Sequence, residues 1–275
     1  MPEGVTRYAA IVSYNGSAYS GFQRQKDQVT VQGELETGLS SIANTPIVIA
    51  ASGRTDSGVH ASHQVIHFDS KSIRSSANWI KGTNSRLPSD ISLSWARDVE
   101  PQFHARFSAE SRTYRYVIGR SVSRPALLAD FMTWTQYPLD TRKMSEACSY
   151  LLGEQDFSTF RGATCQSRSP CREVTRAVIY DYDDWVIFEI SANAFVLHMV
   201  RNIVGSLLEV GYGRQPPHWV AALLQGRDRT KAAATAPARG LYLVAVDYPA
   251  GYSLPIAEKG PLFLPRDMGV PVSPT

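Results

Sequence analysis

The chain has 275 residues, of which 28 are Lys or Arg and 25 are Asp or Glu, so its formal net charge is only +3. Hydrophobic residues at 43% and charged residues at 19% exclude a disordered or fibrous chain, and the length suits about two domains. Three cysteines with no charged and apolar leader ahead of them predict a reduced, cytoplasmic protein without disulfides, and the longest apolar stretch, 194–210, is broken by His198, Arg201, Asn202 and Glu209, which excludes a membrane span.

In chain order, Tyr8, Ala10, Val12 and Tyr14 alternate as a strand that turns at Asn15-Gly16. Thr30 is placed to cap a helix with apolar positions Val31, Leu35, Leu39 and Ile42, which Pro46 closes. Strands at 47–51 and 64–68 follow, joined by a polar, glycine-bracketed loop at 53–58. A helix at 77–86 and a strand through Ile91, Leu93 and Trp95 complete the order β-α-β-β-α-β.

The second half repeats that order. A strand at 113–118 precedes a helix through Met144, Ala147, Cys148 and Leu151 that ends at Gly153. A hairpin at 174–180 and 185–190 turns around Asp183 and Asp184. A helix carrying Val200, Ile203, Val204, Leu207 and Leu208, a shorter helix at 220–224 and a strand at 241–246 follow. The expected fold is α+β: two ferredoxin-like halves, 1–105 and 106–248, with sheets joined edge to edge around a central cleft. A proline-rich tail, 249–275, lacks periodicity and is expected to run along the surface or fray.

The loop Gly53-Arg54-Thr55-Asp56-Ser57-Gly58-Val59-His60-Ala61 carries the densest chemistry. Its glycines permit unusual backbone angles and close ligand approach, and two strands hold it, so Asp56 is either displayed for catalysis or tied into an Asx-type turn. On a strand His60 and His63 point to opposite faces, and the alternation through Val65, Ile66, His67 and Phe68 favours a strand; Cys165 and Cys171 lack a zinc-like partner pair, so no metal site is expected. G-x-S-x-G, Walker and strand-led G-x-G-x-x-G patterns are missing, which removes support for hydrolase, NTPase and dinucleotide readings. Arg106, Arg112, Arg115, Arg120 and Arg124 cluster with Phe107, Tyr114 and Tyr116, suiting either phosphate contact or a solvated face.

That loop resembles the catalytic loop of the bacterial tRNA pseudouridine synthase A family. The likeness extends to Tyr14-Asn15-Gly16, Gly21-Phe22-Gln23, Thr30-Val31-Gln32, Asn84 with Leu87-Pro88, Phe103 through Ala109, and Arg112-Thr113-Tyr114-Arg115-Tyr116. In the second half it includes Gly153 with Asp156-Phe157, His198 through Gly205, and Gly240-Leu241-Tyr242-Leu243. Ser57, Asn15 and Phe22 stand where the family usually has Ala, Asp and Trp.

The resemblance implies isomerisation of uridine to pseudouridine at positions 38, 39 and 40 of the tRNA anticodon stem-loop, without cofactor or metal, by a homodimer. Asp56 takes the role of the essential carboxylate, either as nucleophile or as base toward the ribose. Arg201 is its basic neighbour, Arg54 holds the flipped nucleotide, Tyr114 stacks on the uracil and Leu243 lines the pocket. Phosphate contacts are expected from Arg24, Lys26, Arg106, Arg112, Arg115 and Arg161. The alternatives are a catalytically silent tRNA-binding or RNA-chaperone module on the same scaffold and, further off, a metal hydrolase.

Overall fold

The computed structural model describes residues 2–274, which form two compact units. The first comprises the residues up to Glu110 together with Tyr242–Phe263, and the second comprises Ser111–Leu241 together with the residues from Leu264 onward. The last strand of the chain, counted with the second half on sequence order, therefore groups mainly with the first unit, and the tail is divided between the two.

In the first unit the order is β1 (Thr6–Tyr14), α1 (Val31–Ala43), β2 (Ile49–Ala51), β3 (His60–Ser70), α2 (Ser76–Asn84) and β4 (Ile91–Asp98). Sheet order β4-β1-β3 with β2 on β3, all antiparallel, is the ferredoxin-like arrangement. Alternation in β1 places Tyr8 opposite Phe68, and both rings pack on Trp79 of α2 at 5.2 and 5.1 Å between centroids. Thr30 caps α1 by accepting from the Gly33 amide at 3.3 Å, and α1 buries Val31, Leu35 and Leu39. Each such fully buried side chain contributes roughly 1.5–3 kcal/mol.

Among the boundaries that moved, two have a visible cause. The Ile47 amide donates to Ser40 Oγ at 2.8 Å instead of a strand neighbour, so β2 starts only at Ile49. β3 starts at His60 rather than Gln64, since Ala61 already pairs with Tyr14.

The second unit contains β5 (Ser111–Arg120), β6 (Thr133–Thr135), α3 (Thr141–Ser149), β7 (Gly153–Asp156), β8 (Cys171–Tyr182), β9 (Trp185–Ala192), α4 (Met199–Gly211) and α5 (Trp219–Gly226). β5-β9-β8-β7 is antiparallel, and β6 lies parallel to the end of β5. The short strands β6 and β7 were not expected from the sequence. α4 buries Met199, Val200, Ile203, Val204 and Leu207, four of them apolar positions that the sequence pattern had placed on one face.

The chain closes with β10 (Leu241–Asp247), whose Tyr242 and Leu243 pair in parallel with His60 and Ala61 of β3 in the first unit. The tail is held at Val272, whose amide donates to Ile179 O at 2.8 Å and whose carbonyl accepts from Ser145 Oγ at 2.5 Å, and Leu264 and Met268 are buried.

Candidate active site

The loop between β2 and β3 is tied down along its backbone. At its entry the Ser52 amide donates to Val65 O at 2.8 Å, and Gln64 Nε2 donates to Gly53 O at 2.8 Å. In its middle the Phe22 amide donates to Thr55 O at 3.0 Å, the Tyr14 hydroxyl and Thr55 Oγ1 share a hydrogen bond of 2.8 Å, and Ser57 Oγ donates to Tyr19 O at 3.1 Å. Burial pushes the Tyr14 hydroxyl well above its ordinary pKa, so it stays protonated. At the exit the Val59 amide closes a turn on Asp56 O at 3.1 Å, and His60 Nδ1 accepts from the Gly16 amide at 3.1 Å.

The segment that clamps the loop needs its glycines. A Cβ on Gly16 would stand 2.0 Å from Val59 O, and Gly21, at φ +89°, would put one 2.9 Å from Thr55 O. His60 also stacks on Tyr242 of β10, with centroids 4.7 Å apart and planes 20° apart. On this fixed frame Asp56 is half-buried, while Arg54 and Ser57 are exposed. The loop thus presents a carboxylate and a guanidinium two residues apart on a backbone that cannot easily yield.

Leu243 differs from its expected role. Its relative exposure is 0%, so it backs Ala61 at the loop's exit rather than offering surface to a ligand.

Tyr114 and Arg201 belong to the second unit. Tyr114 on β5 is buried, and its ring meets Phe195 edge to face at 5.0 Å and 82°. Arg201, half-buried in the first turn of α4, donates from Nε to Ala236 O at 2.8 Å, and its carbonyl accepts from the Ala236 amide at 3.1 Å. A network that sequence reasoning missed fastens this segment. Asn202 Oδ1 accepts from Arg229 Nη2 at 3.0 Å and from Thr235 Oγ1 at 2.7 Å, while Asn202 Nδ2 donates to Phe160 O at 2.8 Å. The available signal was an asparagine inside the apolar run of α4, since a polar side chain there must find partners.

The expected phosphate contacts divide by burial. Arg24, Lys26 and Arg106 are exposed, although Arg24 pairs with buried Glu36 at 2.9 Å. Arg161 is half-buried and spends Nη2 on Cys165 O at 2.8 Å and Ser167 O at 2.7 Å, organising its own loop. Arg112 and Arg115 do not fit the expectation. Arg112 is buried and donates to Asn193 O at 2.9 Å; Arg115 is buried against Glu189 at 2.9 Å, because every position from 112 to 119 of β5 points into packed structure. Among the described residues no group of three His, Cys, Asp or Glu is placed to hold a metal, and no helix is long and apolar enough to cross a membrane.

Comparison with known proteins bears on this geometry. Residues 10–108 and 147–249 match the family described as tRNA pseudouridine synthase. The chain is similar to "tRNA pseudouridine synthase A" of Enterobacter sp. (strain 638), with 52% identity over 260 residues that cover 94% of this chain and 96% of the relative. Proteins of the same name from Cronobacter sakazakii (strain ATCC BAA-894) and Vibrio parahaemolyticus serotype O3:K6 (strain RIMD 2210633) are 51% and 50% identical, covering 96% and 95% of this chain and 98% and 99% of theirs. A solved structure titled "Crystal Structure of a Cbf5-Nop10-Gar1 Complex" aligns with a TM-score of 0.33 and 9% identity over 86% of this chain and 58% of that chain, too low to bear weight.

Proposed function

Because the chain belongs to the tRNA pseudouridine synthase family and is an isomerase acting on tRNA uridine, we propose that Asp56 is its catalytic carboxylate and that the target uridines are positions 38, 39 and 40 of the anticodon stem-loop. In that reaction the bond from N1 to ribose C1′ breaks, the uracil turns, C5 bonds to C1′, the C5 proton is lost and N1 gains one. Asp56 begins it either by attacking the nucleotide or by taking a ribose proton; both routes need one carboxylate held at a fixed place. The observation that supports the reading is the placement of Asp56, reachable from solvent on a loop whose backbone is bonded from Ser52 to Val59. No feature supports a silent RNA-binding module.

A stem uridine must leave its stack to meet Asp56, at a cost of a few kcal/mol. On the family resemblance Tyr114, which keeps 9% of its surface exposed beside Phe195, is proposed as the ring that receives the extruded base, and base–aromatic stacking recovers ~1–3 kcal/mol. Arg54, exposed on the same loop as Asp56, is proposed to hold the extruded nucleotide, and Arg201 to supply the cation that offsets desolvation of the carboxylate under RNA. Arg24, Lys26 and Arg106 remain as proposed phosphate contacts, with Arg161 shaping its loop; family resemblance extends the proposal to a homodimer, and cysteine usage to the cytoplasm. Replacing Asp56→Asn is expected to abolish tritium release from C5-labelled uridine in tRNA while tRNA affinity stays within a few-fold. Unchanged turnover in that variant would overturn the assignment.

A further inference from the structure

Phe107 is the one aromatic ring in the segment Phe103–Glu110 that is left to solvent, at 76% exposure, and it sits on a support with no slack. His104 Nδ1 accepts from the Arg106 and Phe107 amides at 3.1 and 3.3 Å, and the His104 amide donates to Ser108 Oγ at 3.0 Å. The turn closes when the Ser108 amide donates to His104 O at 2.9 Å. Below it, the Ala105 amide donates to His67 Nδ1 at 3.1 Å, and the Tyr248 hydroxyl donates to Ala105 O at 2.6 Å.

The rings continue the support. Phe107 lies 4.3 Å from His104 with planes 32° apart, His104 lies 4.5 Å from His67, and His67 meets Phe103 edge-on at 6.1 Å. Phe103 is fully buried against Tyr248 and Tyr252. The Arg106 guanidinium stands 5.6 Å from the Phe107 centroid. Exposing a large ring on a rigid turn forgoes the burial that would stabilise the fold, and an exposed aromatic beside an arginine matches the chemistry of a nucleobase next to its phosphate.

We propose that Phe107, backed by His104, is a stacking platform for an unpaired base of the tRNA substrate, with Arg106 facing the adjoining phosphate. The proposal rests on tRNA being the substrate. His67 lies seven residues beyond His60 on β3, ~23 Å at 3.3 Å per residue, so the platform serves a part of the RNA remote from the reacting uridine. A preorganised ring loses little side-chain freedom on binding, which favours affinity over mere contact.

Direct binding of tRNA, measured without turnover across a salt series, tests this. Phe107→Ala is expected to weaken binding by between about 5- and 150-fold, the range a lost base–aromatic stack gives, with an unchanged salt slope. Phe107→Trp keeps a ring and is expected to bind as the parent does. Arg106→Ala should reduce the salt slope by about one. Binding within about two-fold of the parent for Phe107→Ala would overturn the proposal. So would sedimentation showing that this variant loses self-association while keeping its affinity, because the occupant would then be a second copy of the chain. Turnover by Asp56→Asn would sink the catalytic assignment and leave these binding measurements standing.

Discussion

The two units bury ionisable side chains in opposite states. On β3 of the first unit His60, His63 and His67 are all buried, and burial pulls the pKa of His63 below the ordinary imidazole value and that of His67 down to about 4. His60 and His67 act as hydrogen-bond acceptors, from the Gly16 and Ala105 amides. The β5–β9 pair of the second unit buries ions instead: Glu189, with no exposed surface, holds Arg115 at 2.9 Å and Arg176 at 2.8 Å. Desolvating an ion costs several kcal/mol, and a fold either removes the charge or pairs it. The loop bearing Arg54 and Asp56 follows a different rule: backbone and side-chain bonds hold its frame while both side chains stay in reach of water. Charges available to a substrate are those that a stiff frame holds without covering.

The largest effect should come from breaking the buried pair. Arg115→Ala takes one guanidinium from buried Glu189 and leaves it Arg176, whose own side chain is 41% exposed, and removing one partner of a buried pair costs about 3–5 kcal/mol. Urea unfolding at neutral pH checks this. A double replacement of Arg115 and Glu189 by apolar side chains of similar volume should recover much of the loss. A cost under about 1 kcal/mol for the single variant would show that the pair does not hold the strands.

On β3 the corresponding test is pH. His67 takes a proton near 6.5 when unfolded and only near 4 when folded, so between those values the unfolded chain binds more protons. Its contribution is therefore complete above pH 6.5 and falls away as pH drops toward 4, by on the order of 2 kcal/mol once solvent access is allowed for. Asp69 titrates below this window, because its hydrogen bond and charge pairing with Arg7 hold its pKa under the usual carboxylate value. The unfolding midpoint followed from pH 7 to 4 should fall more steeply for the parent than for His67→Gln, which keeps an acceptor for the Ala105 amide and in which the depressed His63 and His104 still titrate. Equal slopes in both proteins would assign the loss elsewhere.

What sequence could reveal follows the same division between local and distant causes. Alternation in β1, the Thr30 cap and the hairpin of β8 and β9 are written in neighbouring residues, and all are present in the structure. β6 and β7 have three and four residues and exist because β5 and β8 offer partners, which no local pattern announces. Glycines around Asp56 marked the loop, but its fixity depends on Tyr14 meeting Thr55 across 41 positions. Arg115 was misjudged for a related reason. Along a strand buried on both faces an inward arginine looks like an outward one until its partner is known, and Glu189 lies 74 positions away.

Arg54 should give the smallest effect on stability and the clearest separation of frame from function. The side chain is exposed, and the loop's entry is held by Ser52 and by Gln64 without it, so Arg54→Ala should shift the unfolding free energy by no more than about 0.5 kcal/mol. Turnover of tRNA at low concentration should nevertheless fall, since a positioned group that holds the extruded nucleotide acts on the reacting complex and not on the fold. Paired urea curves and kcat/KM on the same preparation decide it. A stability loss of about 2 kcal/mol or more would place the guanidinium in the frame beside Gln64, and the contrast between buried and displayed charge would fail at the residue where it should be sharpest.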